Sequence, residues 1–220
     1  MSFASFEYIL FLPISVLLFY SLNHKYRWSI LLLFSYAFYM YWEPYYGLIL
    51  LFSTSVDFFS AKKIHSNSNT FKRKFYLILS LSTNLSLLVF FKFSAQILDF
   101  LQIARASSIE QTRSFEQTTI LLPIGISFYT FQTLSYTIDI YQNRRKPETH
   151  FGYFALFVSF FPQLVAGPIE RASSLLPQLR KKHTFDWQKI IAGTQLILWG
   201  LFKKMLLAIW QLAFSKKLKK

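Results

Sequence analysis

The sequence predicts an all-α protein: a polytopic bundle of transmembrane helices with a re-entrant or broken helical segment near residues 151–169. Three observations lead there. Hydrophobic residues make up 53% of the 220-residue chain and aromatics 20%, but charged residues only 15%, well under the roughly 25% usual in soluble domains. Apolar runs near the ~20 residues needed to cross a ~30 Å hydrocarbon core recur along the chain. Lysines and arginines crowd alternate connections between those runs, the signature of cytoplasmic loops.

The apolar runs cover residues 6–22, 26–42, 45–61, 75–93, 120–141, the broken 151–169, and 190–214. The first carries Glu7 and no preceding basic residues, which sets it apart from a signal peptide and reads as a retained span. Only Glu43-Pro44 separates the second and third runs, so they form a tight helical hairpin with Pro44 starting the third helix. "HSNSNT" and the polar 94–119 stretch read as loops. Lys203-Lys204 splits the last run into pieces of 13 and 10 residues, each too short to span alone, so a broken or interfacial helix with snorkelling lysines is expected there. Residues 215–220 form a basic tail, and 1–214 are expected to form one membrane domain.

The connections give the orientation. Lys25 and Arg27 follow the first run, and no basic residue follows the second. Lys62, Lys63, Lys72, Arg73 and Lys74 follow the third. Arg105 and Arg113, offset by Asp99, Glu110 and Glu116, follow the fourth, and Arg144, Arg145 and Lys146 follow the fifth. Odd loops are basic and even loops are not, which places the N-terminus outside and the odd loops in the cytoplasm. This pattern also accounts for the net charge of +14 without nucleic acid.

"FVSFFPQLVAGPIERASSLLPQLR" conflicts with a simple span. If it crossed, Arg171, Arg180, Lys181, Lys182 and Lys189 would lie outside. If it enters and returns, fifteen basic residues lie inside. Pro162 removes a helical donor and Gly167 permits helix-ending backbone angles. Such backbone persists at membrane depth only when buried in protein or lining a wet cavity.

Asp57 and Asp139 lie near the cytoplasmic ends of their spans. Either they pair with a nearby Lys or Arg at the interface, or they are functional groups within the membrane. Gln132, Tyr136 and Asp139 recur at helical spacing, so their face either lines a polar cavity or hydrogen-bonds to neighbouring helices. With Gln163, Gly167, Pro168 and Arg171 from the broken segment they are the candidate cavity or substrate-path residues. His24, His65, His150 and His183 fall in loops or at segment edges, outside the apolar runs where a buried imidazole could act as a base. No pair has metal-ligand spacing, and the chain has no cysteine. Asn84-Leu85-Ser86 matches a glycosylation sequon but sits inside an apolar run.

"LLPIGISFYTFQTLSYTIDIYQ" and "FALFVSFFPQLVAGPIERASSLLPQL" closely resemble the membrane-bound O-acyltransferase family, in particular the branch that acetylates alginate and other exopolysaccharides. "STSVDFFSAKK", "NLSLLVFFKF" and "WGLFKK" resemble it too, so the likeness runs from about residue 28 to about residue 207. The resemblance implies a helical enzyme of the bacterial inner membrane. It would move an acyl group from a cytoplasmic donor, acetyl-CoA or another acyl-CoA, to a polysaccharide hydroxyl across the membrane. Implied partners are membrane lipids, the polysaccharide acceptor and periplasmic acetyl-transfer proteins; no bound cofactor, metal or nucleic acid is expected. The family's catalytic histidine belongs to a run resembling "WHISLSxWLRDYLYIPLGG", and no such run occurs in these 220 residues. After "WGLFKKMLLA" the chain departs from the family with "IWQLAFSKKLKK", which reads as a truncation, so the chain is expected to be an N-terminal portion without its own catalytic histidine. The alternative is a non-catalytic carrier or scaffold in envelope polysaccharide assembly.

Overall fold

The computed structural model describes residues 5–41, 43–106, 125–164, 167–168 and 170–218; of residues 94–106 and 208–218 it describes the helix alone. All regular structure among the described residues is helical: α1 (Phe6–Ser21), α2 (His24–Met40), α3 (Pro44–Ser66), α4 (Thr70–Ala106), α5 (Ile126–Tyr141), α6 (Phe151–Ser159), α7 (Phe161–Leu164), α8 (Ala172–Arg180) and α9 (Trp187–Leu218). The chain forms two compact units, Asn23–Lys181 and a second made of Met1–Leu22 with Lys182–Lys220.

In the unit of residues 23–181, α3 packs along α4, α4 on α5, and α2 on α6 and α7. Its outer face is apolar, and polar side chains sit among the aromatic and aliphatic ones of its core. Leu48, Phe52, Phe59, Ile78, Phe90 and Phe131 face outward, whereas Ser53, Thr54, Asp57, Ser80, Asn84, Thr133 and Thr137 are buried. Apolar side chains outside and hydrogen-bonding ones between helices are what a hydrocarbon solvent selects. Thr70–Phe93 and Trp187–Leu207 are each long and apolar enough to cross a membrane. The chain is an all-α membrane protein.

Pro44 begins α3, as the sequence indicates, because a first-turn residue needs no amide donor. Two boundaries differ from expectation. α4 continues through Ala106 into the stretch read as a loop, since "SAQILDFLQIARA" holds no glycine or proline and consists mostly of helix-tolerant residues. α9 runs unbroken through Lys203-Lys204. Lysine is a good helix former, and the backbone ladder is indifferent to side-chain charge; the Lys203 ammonium lies 5.3 Å from the centre of the Trp199 ring. α1, which belongs to the same unit as α9, is N-capped by Ser5, whose hydroxyl accepts from the Tyr8 amide. Near its C-terminal end, Tyr20 meets Phe185 edge-on.

The broken segment begins and ends at the same place. α6 enters at His150 and α8 leaves at Arg180, packed against α6. Arg180 forms an ion pair with Glu148, just ahead of α6. The Glu148 amide donates to the Tyr136 hydroxyl near the end of α5 (2.8 Å). Arg73, in the first turn of α4, donates to the Tyr141 carbonyl (2.6 Å) and to Asn143 Oδ1 (2.8 Å). Trp28, near the start of α2, meets His150 edge-on. The basic residues of this unit's odd loops therefore gather at one end, together with Arg180 and Lys181.

Two glycines permit close approaches. Gly125 stands before α5 with φ +83°, and a Cβ there would lie 2.4 Å from the Leu164 carbonyl oxygen. Gly152 lies under the Trp28 indole, 2.1 Å from where a Cβ would stand. Gly152→Ala should destabilise the unit by about 1–3 kcal/mol through overpacking, and Trp28→Leu should recover part of that loss. Gly125→Ala adds left-handed strain of about 1–2 kcal/mol and meets backbone, so no side-chain change should rescue it. Thermal unfolding in detergent measures both.

Candidate functional site

α6 stops at Ser159 and Phe160 leaves helical geometry with ψ 105°. A one-turn helix, α7, restarts with Pro162 in its first turn, where a missing amide costs little. The break strands two groups that would otherwise pair with each other, the Phe157 carbonyl and the Phe161 amide four residues on. Both find side chains from other helices. Gln132 of α5 donates Nε2 to the Phe157 oxygen at 2.9 Å, and Ser35 of α2 accepts from the Phe161 amide at 3.2 Å. The exit is closed in the same manner: Gln163 donates Nε2 to the Pro168 carbonyl at 2.7 Å, and the Gly167 amide donates to the Gln163 carbonyl at 2.9 Å.

The residues singled out from the sequence now have places. Gln132, Tyr136 and Gln163 are buried, and each uses a polar atom to hold backbone. Tyr136 also packs against Phe154, the two rings tilted with centroids 4.7 Å apart. Asp139 is partly exposed near the end of α5 and pairs with Arg144 at 3.7 Å. Gly167 and Pro168 form the turn, with Pro168 exposed, and exposed Arg171 stands as the N-cap of α8. His150 caps α6 by accepting the Gly152 amide on Nδ1 at 3.1 Å.

A second cluster lies between α3, α4 and α5. Asp57 is fully buried, at 0% exposure. Its Oδ1 accepts from Ser80 Oγ (2.6 Å) and Asn84 Nδ2 (2.8 Å). Ser80 Oγ also lies 3.2 Å from Thr137 Oγ1, and Thr133 Oγ1 lies 3.4 Å from Asn84 Oδ1. Asp57 Oδ2 and Thr130 Oγ1 are buried without a partner. The interfacial pairing weighed for Asp57 does not occur: among the described residues no Lys, Arg or His forms an ion pair with it, and Lys62 instead lies over the Phe58 ring. The sequence reading missed Ser80, Thr133, Thr137 and Glu148, and read Asn84 only as a discounted sequon. The signal was there in polar residues four apart within apolar helices, Ser80 with Asn84 and Thr133 with Thr137, each pair on one helical face.

The two stretches that form the broken site, "PIGISFYTFQ" and "FFPQLVAGP", belong to a chain with clear resemblance to known proteins. The chain is 33% identical over 224 residues to the peptidoglycan O-acetyltransferase of Helicobacter pylori. It is 35% identical over 201 residues to the probable alginate O-acetylase AlgI of Pseudomonas aeruginosa, and 34% identical over 202 residues to that of Azotobacter vinelandii. Each alignment covers 90% of this chain. The chain belongs to the membrane-bound O-acyltransferase family. It spans about two fifths of the length of these relatives: 41%, 38% and 40% respectively. No family model matches the chain, and neither does any solved structure. Within the family, the 90% coverage takes in both the broken segment and the helices that satisfy it.

Gln132→Leu keeps the volume and removes the donor to Phe157. An unsatisfied buried carbonyl costs about 1–3 kcal/mol, so thermal stability in detergent should fall. Gln132→Glu should keep the bond while its carboxyl is protonated and lose stability as pH rises, because a protonated carboxyl can donate to the Phe157 carbonyl whereas an ionised one offers only acceptors. Gln163→Leu acts at the turn alone and should cost less, since Gln163 is closer to the surface.

Proposed function

We propose that this chain forms the first part of the membrane domain of a polysaccharide O-acetyltransferase. In this reading an acetyl group passes from a cytoplasmic acyl-CoA to a hydroxyl of a cell-envelope or exported polysaccharide, peptidoglycan or an alginate-like polymer, with periplasmic acetyl-transfer proteins as partners. The broken segment carries the reading. It is costly irregular backbone inside a membrane domain, each end of it secured by side chains, and it lies in the stretch shared with relatives named as O-acetyltransferases. Gln132, Tyr136 and Gln163 hold the wall of the substrate path from behind. Gly167 and Pro168 shape its turn, Arg171 stands at its mouth, and Asp139 lies at the end of the same α5 face.

Activation of the acceptor hydroxyl needs a positioned base, commonly worth about 10²–10⁴-fold. The resemblance assigns that base to a histidine run that these residues do not contain. These 220 residues alone should therefore restore no acetyl ester in a strain lacking its alginate O-acetylase. The same residues replacing the matching region of that enzyme should restore it. A chimera that inserts normally yet leaves the polymer unacetylated would contradict the proposal.

The orientation we propose puts the N-terminus outside the inner membrane and the basic end of residues 23–181 in the cytoplasm. In this cysteine-free chain, Lys146→Cys and Lys181→Cys should react with an impermeant thiol reagent from the same, cytoplasmic face. Tyr41→Cys should react from the opposite one. Labelling of positions 146 and 181 from opposite faces would exclude the re-entrant path.

A further inference from the structure

We propose that the buried polar cluster around Asp57 is a binding site for a small monovalent cation, sodium, held between α3, α4 and α5. A fully buried carboxyl group has to be neutralised, because an isolated charge in a low-dielectric interior is prohibitively costly. Asp57 has hydrogen-bond donors on Oδ1 only, both from neutral side chains. Its Oδ2 is buried and unpartnered, and so is the Thr130 hydroxyl on α5. Thr133, on α5, joins the same cluster through Asn84, its Oγ1 lying 3.4 Å from the Asn84 Oδ1.

The donor chemistry fits a hard cation. Asp57, Ser80, Thr133 and Thr137 offer carboxylate and hydroxyl oxygens, and Asn84 an amide oxygen; all-oxygen sets select hard ions over soft metals. A hydroxyl can donate its proton to one neighbour and offer lone pairs to an ion, so the Ser80–Asp57 bond is compatible with coordination. One carboxylate supplies one negative charge, which a monovalent ion cancels and a divalent ion would overshoot. Sodium rather than potassium is the ion proposed because it needs less room in a cluster whose oxygens already lie within hydrogen-bonding distance of one another, 2.6 Å from Ser80 to Asp57 and 3.2 Å from Ser80 to Thr137. Three helices contribute donors, so a bound ion would tie them together. This inference is independent of the acyl-transfer reading.

The test uses the whole chain purified in detergent. Its unfolding temperature is followed while sodium chloride replaces choline chloride at constant ionic strength. A ligand that binds only the folded state raises stability with each tenfold increase above its dissociation constant. The expected result is an upward shift of a few degrees per tenfold in sodium, smaller in potassium, and lost in Asp57→Asn. Thr133→Val keeps the carboxylate and should weaken the sodium dependence without abolishing folding. Equilibrium binding of radioactive sodium, one ion per wild-type chain and none in Asp57→Asn, is the direct readout. Identical unfolding temperatures in sodium and choline, with no bound sodium, would overturn the proposal and leave a proton as the neutralising species.

Discussion

Inside hydrocarbon, a polar group that the protein does not satisfy goes unsatisfied. That constraint organises residues 23–181. Water can complete an irregular turn or a stray carboxylate in a soluble domain; here another helix has to. The stranded Phe157 carbonyl and Phe161 amide are each met by a side chain from a different helix, Gln132 of α5 and Ser35 of α2. These bonds define which helices stand beside the break, and they explain why α2 and α5 pack against an interrupted helical segment.

The arrangement links local chemistry to membrane topology. The return of α8 toward the start of α6 is fixed by Glu148, which takes Arg180 on its carboxylate while its amide donates to Tyr136. Arg73 ties α4 to the end of α5. Helix ends with a basic excess are thereby held on one side. At the other extreme, Asp57 is buried and its Oδ1 is met by neutral hydrogen-bonding groups alone. The unit thus joins a charged end to a polar but uncharged interior, and both contrast with its apolar outer face.

Much of this was legible in the sequence. Periodicity and length give the helices, Glu43-Pro44 the tight hairpin, loop charge the side on which basic residues gather, and Pro162 with Gly167 the broken segment. What escaped are relations between distant residues. Pro162 marks the break, but the chain departs from the helix at Phe160, because proline sits comfortably in the first turn of α7. Gln132 stood out as a polar residue on a helical face, yet only the fold reveals the carbonyl it serves. Ser35 carries no local signal at all. For Asp57 the sequence left open pairing with a nearby Lys or Arg or a role within the membrane; α3 runs on to Ser66 and the carboxylate is buried. Lys203-Lys204 looked like an interruption because hydropathy falls there, although helix propensity does not.

The polar faces of α3, α4 and α5 meet one another inside the membrane while the apolar faces meet lipid; this is the central claim. Disulfide trapping in native membranes tests it most directly. Ser80→Cys and Thr137→Cys replace hydroxyls 3.2 Å apart, whereas Ile78→Cys and Phe131→Cys lie on the exposed faces of α4 and α5. The first pair should oxidise rapidly and almost completely, and the second not at all. Trapping of the outward pair, or failure of the inward pair to close, would contradict the claim.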